Sequence, residues 1–129
     1  MAKENVTIDL TNCEKMIMKV IWDEEGDCEL QHLITELRDR YGKDYARTTV
    51  GTFLKKLINE GYVSTHRVGR ASYSHAEISE EDYLEYLMNK EDHFWFGGSQ
   101  SKMLDALVRS EQVSGEELVK MKAILDGIS

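Results

Sequence analysis

Ten consecutive positions of this chain, 47 to 56, carry one guanidinium, three hydroxyls and two ammonium groups: Arg47, Thr48, Thr49, Thr52, Lys55 and Lys56. No carboxylate follows until Glu60. The chemistry open to this set is donation to phosphate oxygens and to base edges, with threonine methyls able to pack on the thymine methyl group. Threonine is a poor helix former, so three of them at the exposed start of a helix point to selection for their hydroxyls or methyls. The bland alternative is a solvated helix face whose side chains only meet their neighbours one turn away. A second cationic pair, Arg67 and Arg70, falls where a hairpin tip is expected, and there it can reach phosphate or the minor groove. His66 and His75 fall on opposite strands of that hairpin. No acidic or thiol residue stands at metal-ligand spacing from them, so no metal site is expected.

The elements that must position these groups are legible in the spacing of apolar residues. Val50, Phe53, Leu54, Leu57 and Ile58 follow the i, i+3, i+4, i+7, i+8 pattern of one buried helical face, which predicts a helix over about 46–60. Gly61 is placed to stop it in a left-handed conformation. Residues 62–68 and 71–78 read as short strands around a turn at Gly69-Arg70. Upstream, Thr11 and Glu14 match a capping box ahead of an amphipathic helix bearing Met16, Ile17, Val20 and Ile21. An acidic turn over 23–27 follows, then an extended piece at Cys28, then a helix over about 30–41 with Leu30, Leu33, Ile34 and Leu37 on one face. Helix, extended piece, helix, turn, helix and hairpin is the order of a winged helix-turn-helix. The expected fold is mainly α with a small β-hairpin, its winged-helix domain spanning residues 1–78.

Residues 79–129 read as a second, helical region. Ser79 caps a helix with acids in its first turn, where the dipole favours them, and that helix runs to about Phe96. Gly97-Gly98-Ser99 breaks it, a helix follows over about 100–110, and Ser114 with Glu117 opens a last one. Leu84, Leu87, Met88, Met103, Leu104, Leu107, Leu118, Met121 and Leu125 stand at helical spacing. Phe94 and Trp95 add an aromatic pair at a helix end. Three short helices have little interior of their own to bury these residues, so they are expected to form a dimerisation arm.

Composition bounds the function. At 41% hydrophobic and 31% charged residues, the 129-residue chain belongs with globular proteins and not with disordered ones. No apolar run approaches the roughly 20 residues that span a bilayer, and the first ten residues lack the apolar core of a secretory leader, so a cytoplasmic protein is expected. The net charge of −8 looks hostile to nucleic acid, but it is unevenly spread. Positions 38–70 hold eight cations against three acids, a balance of about +5, while from Ser79 onward eleven acids face five bases, about −6. A phosphate backbone meets the local field within a Debye length of about 8–10 Å. Cys13 and Cys28 are isolated and read as structural thiols. No nucleophile elbow, phosphate loop or zinc-protease motif is present, and no enzyme is expected.

With these residues in view, the chain resembles the BlaI/MecI/CopY family of penicillinase-type repressors over nearly its whole length. The resemblance rests on Val20-Ile21-Trp22 at the end of the first helix and on Tyr45 through Val50 at the entry to the cationic helix. It rests also on Phe96-Gly-Gly-Ser99 after the aromatic helix end. It implies a homodimer that binds an inverted-repeat operator in double-stranded DNA and blocks transcription. Arg47, Thr48, Thr49 and Thr52 would then face the groove, with Arg70 on the wing. Many relatives carry proline where Arg47 stands and a long polar residue where Gly51 stands, which implies a different operator. Members released by a protease are cut at an Asn-Phe pair, where Ala106-Leu107 stand here. Copper-responsive members have a cysteine-rich tail, whereas this chain has no cysteine after Cys28. Neither inducing route is implied, and no cofactor is expected. Two other readings compete: a winged-helix module that binds only protein, and a metal- or redox-responsive regulator using the thiols and histidines.

Overall fold

The computed structural model describes residue 6, residues 8–110 and residues 112–128. The expectation of no leader at the chain start, and the outer limits of the two expected domains, fall partly on residues 1–5, 7 and 129, outside the described ones. The element order is α1 (Asn12–Asp23), β1 (Cys28–Glu29), α2 (Leu30–Tyr41), α3 (Arg47–Asn59), β2 (Val63–Val68), β3 (Ala71–Ala76), α4 (Glu80–Phe96), α5 (Gln100–Ser110) and α6 (Gly115–Asp126). This is a mainly helical chain with a small antiparallel sheet in the order β1-β3-β2. The extended piece at Cys28 is a true strand, pairing Cys28 with Ser74 and Glu29 with Tyr73. Among the described residues no helix is long and apolar enough to cross a membrane.

The helices start and stop where local chemistry dictates. Thr11 Oγ1 accepts the Glu14 N–H at 3.3 Å, while Glu14 Oε1 accepts the Thr11 N–H at 2.9 Å, so both halves of the capping box are formed. The Glu29 carboxylate caps α2 by accepting the His32 N–H at 3.2 Å. Gly61 takes the left-handed conformation at φ 82° that ends α3. At the other end of α3, Ala46 provides no side-chain acceptor.

Three helices pack their apolar stripes with the sheet around one core: Ile17, Met18, Val20 and Ile21 of α1, Leu33 and Leu37 of α2, Val50, Leu54 and Leu57 of α3. Phe53 is only partly buried, and Ile58 is 38% exposed although its spacing placed it on the buried face. At about 100° per residue Ile58 sits about 80° round the helix from Val50, which takes it off the stripe centred on Leu54 and Leu57.

The chain divides into two compact units, Met1–Leu87 and Met88–Ser129, and the boundary lies inside α4, nine residues beyond Ile78. The aromatic residues of early α4 explain the difference. Tyr83 is buried, its hydroxyl accepts the Leu10 N–H at 3.2 Å, and its ring lies 5.9 Å from both Trp22 and Tyr62. Trp22 Nε1 donates to the Ile78 carbonyl at 2.9 Å, and the Tyr86 hydroxyl donates to Asp9 at 2.6 Å. Ile78 and Tyr83 therefore belong to the first unit's core. In the second unit, Gly97 and Gly98 have positive φ and end α4. Ser99 and Ser114 then cap α5 and α6 by accepting the N–H groups of Lys102 and Glu117.

Candidate nucleic-acid interface

Burial of Val50, Leu54 and Leu57 fixes which side of α3 faces outward. Arg47, Thr48, Thr52 and Lys55 are exposed and Thr49 is half-buried. The first turn adds donors that side-chain reasoning overlooked. Ala46 makes no side-chain cap, so the N–H groups opening α3 lack an acceptor from the cap position, at the end of the helix where the dipole favours an anion. One guanidinium and one hydroxyl of this face are partly engaged. Arg47 Nη1 donates to Gln31 Oε1 at 3.2 Å, which extends the guanidinium toward α2. Thr52 Oγ1 donates to the Thr48 carbonyl at 3.1 Å, so its hydroxyl can still accept from an outside donor.

Lys56 behaves differently from its neighbours. Its ammonium lies 2.9 Å from Glu14 Oε2 and 3.5 Å from Glu60 Oε2, so its charge is answered within the fold. Glu14 is fully buried, and burial works against its charge. The Thr11 N–H, the Lys56 ammonium and the Thr11 hydroxyl outweigh that penalty and hold its carboxyl below the ordinary value. Lys56 thus ties α3 to the first turn of α1. Sequence spacing placed it with the outward cations because its partner stands 42 positions away.

The hairpin projects Arg67 and Arg70, both exposed, on either side of Gly69 at φ 63°. Arg67 Nη2 approaches the Arg70 carbonyl at 3.5 Å, and Val68 beside it is 62% exposed. A bare β-branched residue between two arginines gives the tip an apolar point as well as charge, a feature sequence reading did not single out.

His66 and His75 share one face of the hairpin, because His66 pairs with Tyr73 and Ser64 with His75. Asp27 reaches both, with Oδ1 2.7 Å from His75 Nδ1 and Oδ2 3.6 Å from His66 Nε2. The His66 ring stacks on Tyr73 at 5.6 Å. Spacing had offered no acidic partner, since Asp27 comes from the turn after α1. No group of three or more His, Cys, Asp or Glu among the described residues is arranged to hold a metal ion. The hydrogen bond to Asp27, together with its charge, raises the His75 pKa. A raised pKa adds stability that is complete below the unfolded value of about 6.5 and is lost as pH rises through the folded value. His75→Gln should therefore lower the melting temperature at pH 5.5 and converge with the parent protein by pH 9. Parallel melting curves across that range check this.

Both cysteines are free, Cys28 buried and Cys13 half-buried. Burial, with Glu24, Glu29 and Glu36 nearby, pushes the Cys28 thiol up to about 12, so it stays protonated. Cys13 Sγ lies 3.1 Å from the Tyr45 hydroxyl.

The aromatic and aliphatic residues expected on a two-fold interface are distributed over both units. Leu87 is half-buried and packs against the first unit's core, whereas Leu84 and Met88 are 46% and 45% exposed. In the second unit no described residue of α5 or α6 is buried. Phe94, Trp95, Leu107, Leu118 and Leu125 are exposed, and Met103, Leu104 and Met121 are half-buried. Ile124, on the same helical face by spacing, is exposed as well, and so is Val119, which the spacing argument passed over.

Comparison with known proteins agrees with this geometry. The chain is 27% identical over 117 residues to the penicillinase repressor of Bacillus licheniformis, covering 91% of this chain and 89% of that one. It is 22% identical over 119 residues to an uncharacterised 16.5 kDa protein of Latilactobacillus sakei, covering 92% and 80%. Among solved structures it is similar to the DNA-binding domain of the repressor BlaI, determined in solution. That match has a TM-score of 0.50 and 29% identity over 58% of this chain and 88% of that one. It makes the first unit a winged-helix domain. The penicillinase repressor family model matches residues 10–127, and the chain belongs to that family, whose members are transcriptional repressors and not enzymes.

Proposed function

We propose that this repressor acts in the cytoplasm as a homodimer on an inverted-repeat operator, with α3 in the major groove and the hairpin tip against the backbone. The observation that carries the reading is the outward face of α3. Arg47, Thr48, Thr52 and Lys55 are exposed on it, with Thr49 at its edge, on a domain similar to one whose solved structure is described as DNA-binding. Lys55, Arg67 and Arg70 supply the phosphate-directed charge, and Lys56 serves the fold. A module that binds only protein has no need of a face free of carboxylates. The protonated Cys28 offers no reactive thiolate to a redox sensor.

The dimer is supported by the apolar surface of the second unit. Large apolar side chains left this bare mark an interaction surface more often than an ordinary monomer face. Phe94, Trp95, Val119 and Ile124 are each at least 66% exposed, and a two-fold partner offering the same surface would bury them.

Salt-dependent binding tests the reading. Affinity for random duplex DNA should fall steeply with salt, and Arg70→Ala should flatten the log–log slope by about one phosphate contact while weakening all duplexes alike. Thr49→Ala and Thr52→Ala should each cost on the order of 1–3 kcal/mol on a selected operator and little on random DNA. A salt-independent or absent interaction with any duplex would return the protein-binding reading to first place.

A further inference from the structure

Gly51 stands in the middle of α3, where the fold gives it no reason to be glycine. Gly42, Gly61 and Gly69 have positive φ, which accounts for each of them. Gly51 has helical geometry instead, and a Cβ added there would meet nothing within 4 Å beyond its chain neighbours and its own helix backbone. Neither backbone conformation nor internal packing excludes a side chain. A helix-interior glycine nevertheless lowers stability relative to alanine. The benefit must lie outside the folded chain.

Its surroundings say where. Of its four neighbours on the helix surface, Arg47 at i−4, Thr48 at i−3 and Lys55 at i+4 are exposed and Leu54 at i+3 is buried, so Gly51 stands at the edge of the outward face. A bare stretch of backbone thus lies among the groups assigned to DNA. We infer that Gly51 is a specificity-determining notch, which lets a protruding base-edge group of the major groove approach the α3 backbone more closely than any side chain would permit. The inference rests on the reading of α3 as the groove-facing helix. It adds a position that acts by absence, in a groove where the thymine methyl and exocyclic groups are what protrude.

Gly51→Ala separates this from a structural role, because the two predict opposite signs. The variant should melt about 2–6 °C above the parent. Its affinity for the duplex that the parent selects from a random-sequence pool should fall about tenfold or more, with a change of less than about threefold on random DNA. The full-length protein is used throughout. Unchanged or tighter binding to the selected duplex overturns the inference, and so do equal losses on both duplexes, which would mark a general backbone clash. Failure of the parent to select any duplex would instead sink the DNA-binding reading and the notch with it, an outcome visible before any variant is made.

Discussion

A chain ending at Lys90 is expected to fold, to sediment as a monomer, and to bind the selected operator about 10²–10⁴-fold more weakly than the full chain. The first unit keeps its core in such a fragment, since Tyr83, Tyr86 and Leu87 are retained and close the face over Trp22 and Tyr62. What the fragment loses is α5, α6 and the end of α4, where Phe94, Trp95, Leu107, Leu118 and Leu125 stand exposed. If those residues meet their two-fold copies, their loss turns the second half-site contact from an intramolecular event into a separate encounter. A cut at Ile78 is expected to behave worse, for it removes Tyr83 from the core and strands the Leu10 N–H that its hydroxyl accepts. Loss of a buried aromatic side chain costs roughly 3–5 kcal/mol, so that shorter chain should melt far below the longer one. Sedimentation and operator titration of the two fragments beside the full chain test both statements. A monomeric full-length protein at micromolar concentration, or a Lys90 fragment that binds as tightly as the intact chain, would remove the dimer from the mechanism.

The contrast between the two cut points shows what the sequence made legible. Element limits came through closely wherever a local device sets them: the Thr11–Glu14 box, the left-handed Gly61 and the Gly97-Gly98 break all act within a few residues of the end they define. The unit boundary has no such local device. Spacing places Tyr83 and Tyr86 only on an amphipathic helix of the second region until Leu10 and Asp9, more than seventy positions away, come into hydrogen-bonding range. The candidate interface divides in the same manner. Arg47, Thr48, Thr52 and Lys55 were readable because helical periodicity alone turns them away from Val50 and Leu54. Lys56 was not, since only the packing of α1 on α3 reveals Glu14 beside it, and neither were the Asp27 contacts of His66 and His75. Long-range pairing of charged groups has no periodic signature.

Glu14→Ala is expected to be the most damaging change at any charged position, costing on the order of 2–4 kcal/mol. Glu14 is the fully buried carboxylate of the core, and it holds two elements at once. One oxygen accepts the Thr11 N–H and completes the cap of α1, while the other takes the Lys56 ammonium from α3. Alanine leaves an uncapped N–H, an unpaired lysine and a cavity in place of the side chain. Glu14→Gln separates charge from volume. It fills the site and still accepts the Thr11 N–H, so its loss at neutral pH should be smaller than that of alanine. The pH dependence follows from the lowered pKa. A carboxyl held below its ordinary value of 4.5 adds stability that is complete above that value and disappears as pH falls through the folded value. The gap between the parent and Glu14→Gln should therefore be full at pH 6 and narrow steadily as the pH falls below 4.5, which denaturant titrations at several acidic pH values would resolve. Because the anchor on α3, Lys56, stands one turn beyond Thr52 on neighbouring helix surface, the same variants should weaken operator binding more than their melting temperatures alone imply. A Glu14→Ala protein that melts within a degree of the parent would mean that Thr11 and Lys56 find new partners without cost, and that α3 is held by its apolar stripe alone.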